Sequence, residues 1–368
     1  GIAPDFRPAD SGGDWLTAAD FAQVEPTSLG SMFARVNRET LAYIAGPTRR
    51  FTAQDHLFAP GERVEKQIVI INDLRREATF GYSWTASVGA QTVDKGTGTV
   101  KVSAGDKAMV PFTFVATAAG LETRALTTGD TTGKITLTVT LEGKTDETLQ
   151  DSFDFTVVAP TPPAQTTARI ALYDPKGLTA KLLTEAGLRF DPVTQPVAPA
   201  GTGLLIIGRE AMTPDGPGLD LAGLTGRGVS VLICEQTEDV LQRRWGFRTA
   251  SPGVRRVFVR QPGHPVCRGL SDDLLRDWRG NSSLLPAYPL KAEFHRSYPQ
   301  ELWCGFMNTR TWQWGNYGSV ASVVIEKPAR GNWSNILDCE FDQQYTPLTE
   351  WVTPQGRAIF SQLDFSGR

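Results

Sequence analysis

Histidine and cysteine are scarce: three histidines, His56, His264 and His295, and four cysteines, Cys234, Cys267, Cys304 and Cys339, in 368 residues. No two histidines stand at i and i+4 and no cysteines form a CxxC pair, so the usual zinc and thioredoxin signatures are missing and no metal is expected. All four cysteines fall in the C-terminal half and read as buried thiols, with a single Cys304–Cys339 bridge as the alternative in an exported protein. No stretch approaches the roughly 18 uninterrupted apolar residues of a membrane helix. Charge of one sign is also lacking: 37 basic residues are scattered among 40 acidic ones, for a net charge of −3, which leaves no basic face for nucleic acid. Neither a GxGxxG after a strand nor a GxxxxGK[ST] occurs, so no nucleotide cofactor is expected. Position 1 is Gly, and no charged segment leads into an apolar signal core, so an excised or processed piece of a longer protein is expected. These residues alone leave the compartment open.

What remains is a chain too long for one hydrophobic core, with 40% hydrophobic and 21% charged residues. Residues 1–39, rich in Gly, Pro, Asp and Ser near the start, read as an N-terminal connector with Trp15 and Phe21 as isolated anchors. Between 40 and 158 the pattern is period-two alternation broken by turn residues. Strands are expected at Val64–Ile71, Thr79–Ser87, Thr97–Val102, Ala108–Val115, Lys134–Leu141 and Ser152–Val158, about seven in all, the profile of an immunoglobulin-like β-sandwich. Residues 159–167 hold three prolines and read as a semi-rigid linker. From 168 to 368 apolar strands at Arg169–Asp174, Gly203–Gly208 and Val229–Cys234 alternate with helical patterns over Gly177–Ala186 and Thr237–Trp245. That order predicts a parallel sheet covered on both faces, an α/β domain. Strands at Val320–Glu326, Asn335–Phe341, Leu348–Val352 and Arg357–Leu363 are expected to extend one edge antiparallel.

An open α/β sheet places its ligands beyond the carboxyl ends of its strands, so Asp174, Gly208-Arg209-Glu210 and Cys234-Glu235-Gln236 are the first places to search. Cys234 ends a strand just before a helix, where a nucleophilic cysteine sits in many hydrolytic folds. Its neighbours Ile233 and Glu235 are not the small residues that a nucleophile elbow needs, and no His-x-Glu supplies a base, so a core thiol is the plainer reading. No catalytic residue is assigned. Asp277, Trp278, Arg279 and Trp312 are the candidates for a ligand-binding or interface surface. They combine a carboxylate, a guanidinium fork and indole planes, the groups that hold sugars and that dominate protein interfaces; packing is the competing reading. Asn281-Ser-Ser283 and Asn332-Trp-Ser334 match the glycosylation sequon, which matters only in a eukaryotic secretory setting.

Two groups of segments carry a resemblance. Leu41-Ala-Tyr-Ile-Ala-Gly-Pro47, Phe51-Thr-Ala-Gln-Asp-His56 and Pro60 through Asn72 resemble the immunoglobulin-like domain that follows the catalytic barrel in large bacterial family-2-type glycoside hydrolases of the β-galactosidase kind. Gly203–Gly208, Glu235–Val240, His264-Pro-Val266, Asp277–Gly280, Ile325–Pro328, Phe341–Glu350 and Ser361–Asp364 resemble the glutamine-amidotransferase-like domain at the C-terminus of such proteins. The resemblance implies a flavodoxin-like α/β fold without that superfamily's catalytic residues, and a glycan-acting parent whose catalytic barrel would precede Gly1. It also implies a non-catalytic accessory region serving domain positioning, oligomer assembly or glycan binding. Its partners would be an upstream catalytic domain, other subunits or carbohydrate, and export to the periplasm or beyond is favoured. A stand-alone hydrolase and a carbohydrate-binding module are the alternatives.

Overall fold

The computed structural model describes residues 6–8, 24–117, 131–158, 165–282, 284, 317–340 and 343–365. The chain forms two compact units, Gly1–Ala159 and Pro160–Arg368, dividing at the start of the proline-rich stretch.

The first unit opens with a short antiparallel pair, Phe6–Pro8 (β1) with Val24–Pro26 (β2), and a helix, Ser28–Val36 (α1). The Gly-, Pro- and Ser-containing composition of the 1–39 connector conceals this helix. Thr27 caps it, its hydroxyl accepting the Gly30 N–H at 3.2 Å, and Leu29, Met32, Phe33 and Val36 recur at helical spacing. Eight strands follow: Thr40–Ala45 (β3), Leu57–Phe58 (β4), Arg63–Asn72 (β5), Ala78–Val88 (β6), Gln91–Val102 (β7), Asp106–Val115 (β8), Thr131–Leu141 (β9) and Lys144–Val157 (β10). They build two sheets, ordered β3-β5-β8 and β4-β10-β9-β6-β7. The pairings are antiparallel except β4 with β10, giving an immunoglobulin-like sandwich.

Alternation fixes which face of each strand is buried. Val64, Ile68 and Ile70 of β5 and Phe112 and Phe114 of β8 turn inward to meet Phe80 and Trp84 of β6 and Leu137 and Val139 of β9. The aromatic centre is continuous: Trp84 lies 4.4 Å from Phe112, and Phe114 lies 5.5 Å from Phe155, centroid to centroid. Asn72 closes one end. It is buried, its side-chain amide donates to the carbonyls of Arg76, Val102 and Ser103, and its oxygen accepts the Leu74 N–H. One asparagine therefore holds both the turn after β5 and the corner between β7 and β8. Strand β7 begins at Gln91 rather than Thr97, because it is an edge strand whose polar residues face water and leave no buried periodicity to read.

The second unit runs Ile170–Tyr173 (β11), Leu178–Glu185 (α2), Asp191–Pro192 (β12), Leu204–Ile207 (β13), Leu221–Gly226 (α3), Ser230–Ile233 (β14) and Glu238–Trp245 (α4). Beyond these lie Thr249–Ala250 (β15), Val257–Val259 (β16), Trp278–Asn281 (β17), Tyr317–Gly318 (β18), Val324–Glu326 (β19), Trp333–Asn335 (β20), Leu337–Cys339 (β21), Tyr345–Thr346 (β22), Leu348–Val352 (β23) and Arg357–Ser361 (β24). The main sheet is ordered β12-β11-β13-β14-β24-β23-β20. Its first five strands are parallel, and β23 and β20 extend the edge antiparallel.

Both faces of the parallel part are covered. Leu205, Ile207, Val231 and Ile233 pack with α3 and α4 on one side, while Ile170, Leu172 and Ile206 pack with Leu183 of α2 on the other. Two sequence expectations are corrected. Arg357–Ser361 pairs parallel with β14, although it leaves β23 through a tight antiparallel hairpin. Val324–Glu326 and Leu337–Cys339 do not extend the main sheet; they join β15, β16 and β22 in a separate five-stranded sheet with its own core.

In the sandwich, Gly133 of β9 sits opposite Phe155 of β10, and a Cβ built at 133 would lie 2.2 Å from the ring's Cζ. The ring lies across the bare glycine, so Gly133→Val must drive Phe155 out of its place. Urea unfolding is expected to show a loss of about 1–3 kcal/mol. An unchanged midpoint would mean that the ring has another place to go.

Candidate functional site

Four parallel strands deliver polar residues to one end of the sheet. Asp174 follows β11, Gly208-Arg209-Glu210 follows β13, Cys234-Glu235-Gln236 follows β14, and Gln362 and Asp364 follow β24. At their centre is Arg209, which has no exposed surface. Its Nη1 lies 3.0 Å from Glu235 Oε1 and 3.4 Å from Asp364 Oδ1, and both carboxylates are as fully enclosed as the guanidinium. Its Nη2 donates to Ser282 Oγ at 3.4 Å, and its backbone N–H to Thr179 Oγ at 2.8 Å.

Serines complete the shell. Ser319 donates to Asp364 Oδ2 at 3.1 Å, and Ser322 Oγ lies 2.5 Å from both Asp364 Oδ2 and Ser282 Oγ. The cluster therefore ties β13, β14 and β24 to the ends of β17 and β18. Gln236 adds a second tie, donating to the Gly208 and Cys234 carbonyls at 2.8 Å each and accepting the Met212 N–H at 3.1 Å. Glu210 holds a left-handed backbone, φ 48°, a conformation that costs a non-glycine residue roughly 1–2 kcal/mol. Its N–H donates to the Glu235 carbonyl at 2.7 Å, and its carboxylate binds Lys176.

Cys234 is buried within this edge. Burial first, then the negative charges of Glu235 and Asp174, push its thiol well above the ordinary cysteine value, against weaker opposing pulls from Thr179 and Arg209. The protonated form is not the nucleophile. His264 is engaged elsewhere: its Nδ1 accepts the Val266 N–H at 3.3 Å, and its Nε2 lies 3.4 Å from Glu350 Oε2. His56 belongs to the first unit, and His295 lies outside the described residues. Cys339 is a free buried thiol rather than half of a bridge; Cys304 is outside the described residues. Among the described residues no cluster of three or more His, Cys, Asp and Glu side chains could hold a metal ion.

Of the Asp277-Trp278-Arg279 candidates, Trp278 and Arg279 lie on a strand, since Trp278–Asn281 is β17, paired with β18. Asp277 has φ 44°, and its carboxylate meets Arg255 Nη2 at 2.8 Å and Arg276 Nη1 at 3.7 Å. Trp278 donates its indole N–H to the Leu274 carbonyl at 2.7 Å and packs its ring against the core of the small sheet. Arg279 is exposed. Trp312 lies outside the described residues. The Arg209 cluster was missed as a unit, although Gly208-Arg209-Glu210, Cys234-Glu235-Gln236 and Ser361–Asp364 each stood out as segments. Its members span Arg209 to Asp364; the strand-end rule marked Arg209 and Glu235, and nothing in the sequence linked them to Asp364 or to the serines.

No family model and no curated protein matches the chain. Among solved structures, red sea bream transglutaminase is similar over 40% of this chain and 20% of its own, at 10% identity and a TM-score of 0.26. A CARDB domain from Pyrococcus furiosus is similar over 32% of this chain and 87% of its own, at 15% identity and a TM-score of 0.22. E. coli alpha-2-macroglobulin is similar over 34% of this chain and 7% of its own, at 15% identity and a TM-score of 0.24. The chain thus spans a fifth of the transglutaminase and less of the macroglobulin, and likenesses at these scores carry no functional weight.

Removing the guanidinium strands two carboxylates in a dry interior, where breaking a buried ion pair costs about 3–5 kcal/mol. Arg209→Met is expected to destabilise the second unit by that amount in a denaturant titration. A change under about 1 kcal/mol would mean that water already reaches the cluster.

Proposed function

We propose that this chain is a non-catalytic accessory region of a β-galactosidase-like glycoside hydrolase, acting to position domains or subunits. The observation that carries the reading is the use made of the strand-end residues. Where an open α/β sheet ordinarily meets its ligand, Arg209, Glu235, Asp364 and three serines bond to one another out of reach of solvent. Catalytic groups must touch substrate, whereas these groups brace the sheet.

Strand order supports the second unit's amidotransferase-like character. Numbered along the chain, its parallel strands run 2-1-3-4-5, the order of doubly wound flavodoxin-like sheets. Such a fold hosts many functions, so the argument rests on the site rather than the topology. The inward bonding of Asp277 and Trp278 favours assembly over sugar stacking at that segment, where Arg279 is exposed. The partners are then an upstream catalytic domain or sister subunits.

The test is turnover. The purified chain is expected to hydrolyse aryl β-galactosides, aryl β-glucuronides and glutamine no faster than buffer, with Arg279→Ala weakening self-association in light scattering at an unchanged melting temperature. Turnover that Cys234→Ala abolishes would overturn the accessory reading.

A further inference from the structure

We draw no further inference here: the strongest candidate, the half-exposed apolar stripe of Met32, Phe33 and Val36 on the short helix α1, is an unpartnered helix face, and nothing in the structure shows what covers it.

Discussion

Arg209 is the charge on which the second unit depends. A guanidinium with no exposed surface must find its counter-charges inside the protein, and it takes them from Glu235 at the end of β14 and Asp364 beyond β24. Those partners are 26 and 155 residues away in sequence, so the pairing can form only when the parallel sheet is assembled in its observed order. Through Ser282, Ser319 and Ser322 the same cluster fixes the residues that flank β17 and β18. An apolar cluster of similar volume would hold these strands as well or better, by the usual accounting for buried ion pairs. The charged version adds specificity of register: a slip of any one strand would leave a bare charge in the interior.

The consequence for chemistry follows from the same geometry. Cys234 and Glu235 are adjacent in sequence at the end of β14, a position that suits a nucleophile. Here the carboxylate belongs to Arg209 and the thiol is held protonated by burial and by the charges beside it. Asp174 shares the strand-end layer yet lines a cleft beyond β11 and β12. A closed ionic brace and an open cleft therefore lie at the same end of one sheet.

Much of this was legible in the residues. Period-two alternation in Val64–Ile71 and Lys134–Leu141 marked strands whose inner faces became the sandwich core, and the continuous apolar runs Gly203–Gly208 and Val229–Cys234 marked strands buried on both faces. Edges were harder. The start of β7 carries polar residues on both faces, and α3 is a six-residue helix containing Gly223, so neither leaves a periodic signal. Strand direction was not legible at all for Arg357–Ser361, because its hairpin with β23 is local while its parallel partner β14 is remote. The site followed the same rule: Asp174, Arg209 and Glu235 were marked by their places after strands, but a hydrogen-bonded cluster is a property of the assembled sheet.

The central claim is that the carboxyl edge is closed around Arg209 and that Cys234 is sealed within it. The direct measurement is the rate at which a thiol reagent labels Cys234 in the intact chain, identified by peptide mapping, across a pH and denaturant series. The account expects labelling only through unfolding. It also expects stability to hold below the ordinary thiol pKa of about 8.5 and to fall above it, because the unfolded chain then releases a proton that the folded chain retains. Labelling of the native protein at neutral pH, at the rate of a free thiol and without any change in the folded fraction, would contradict it.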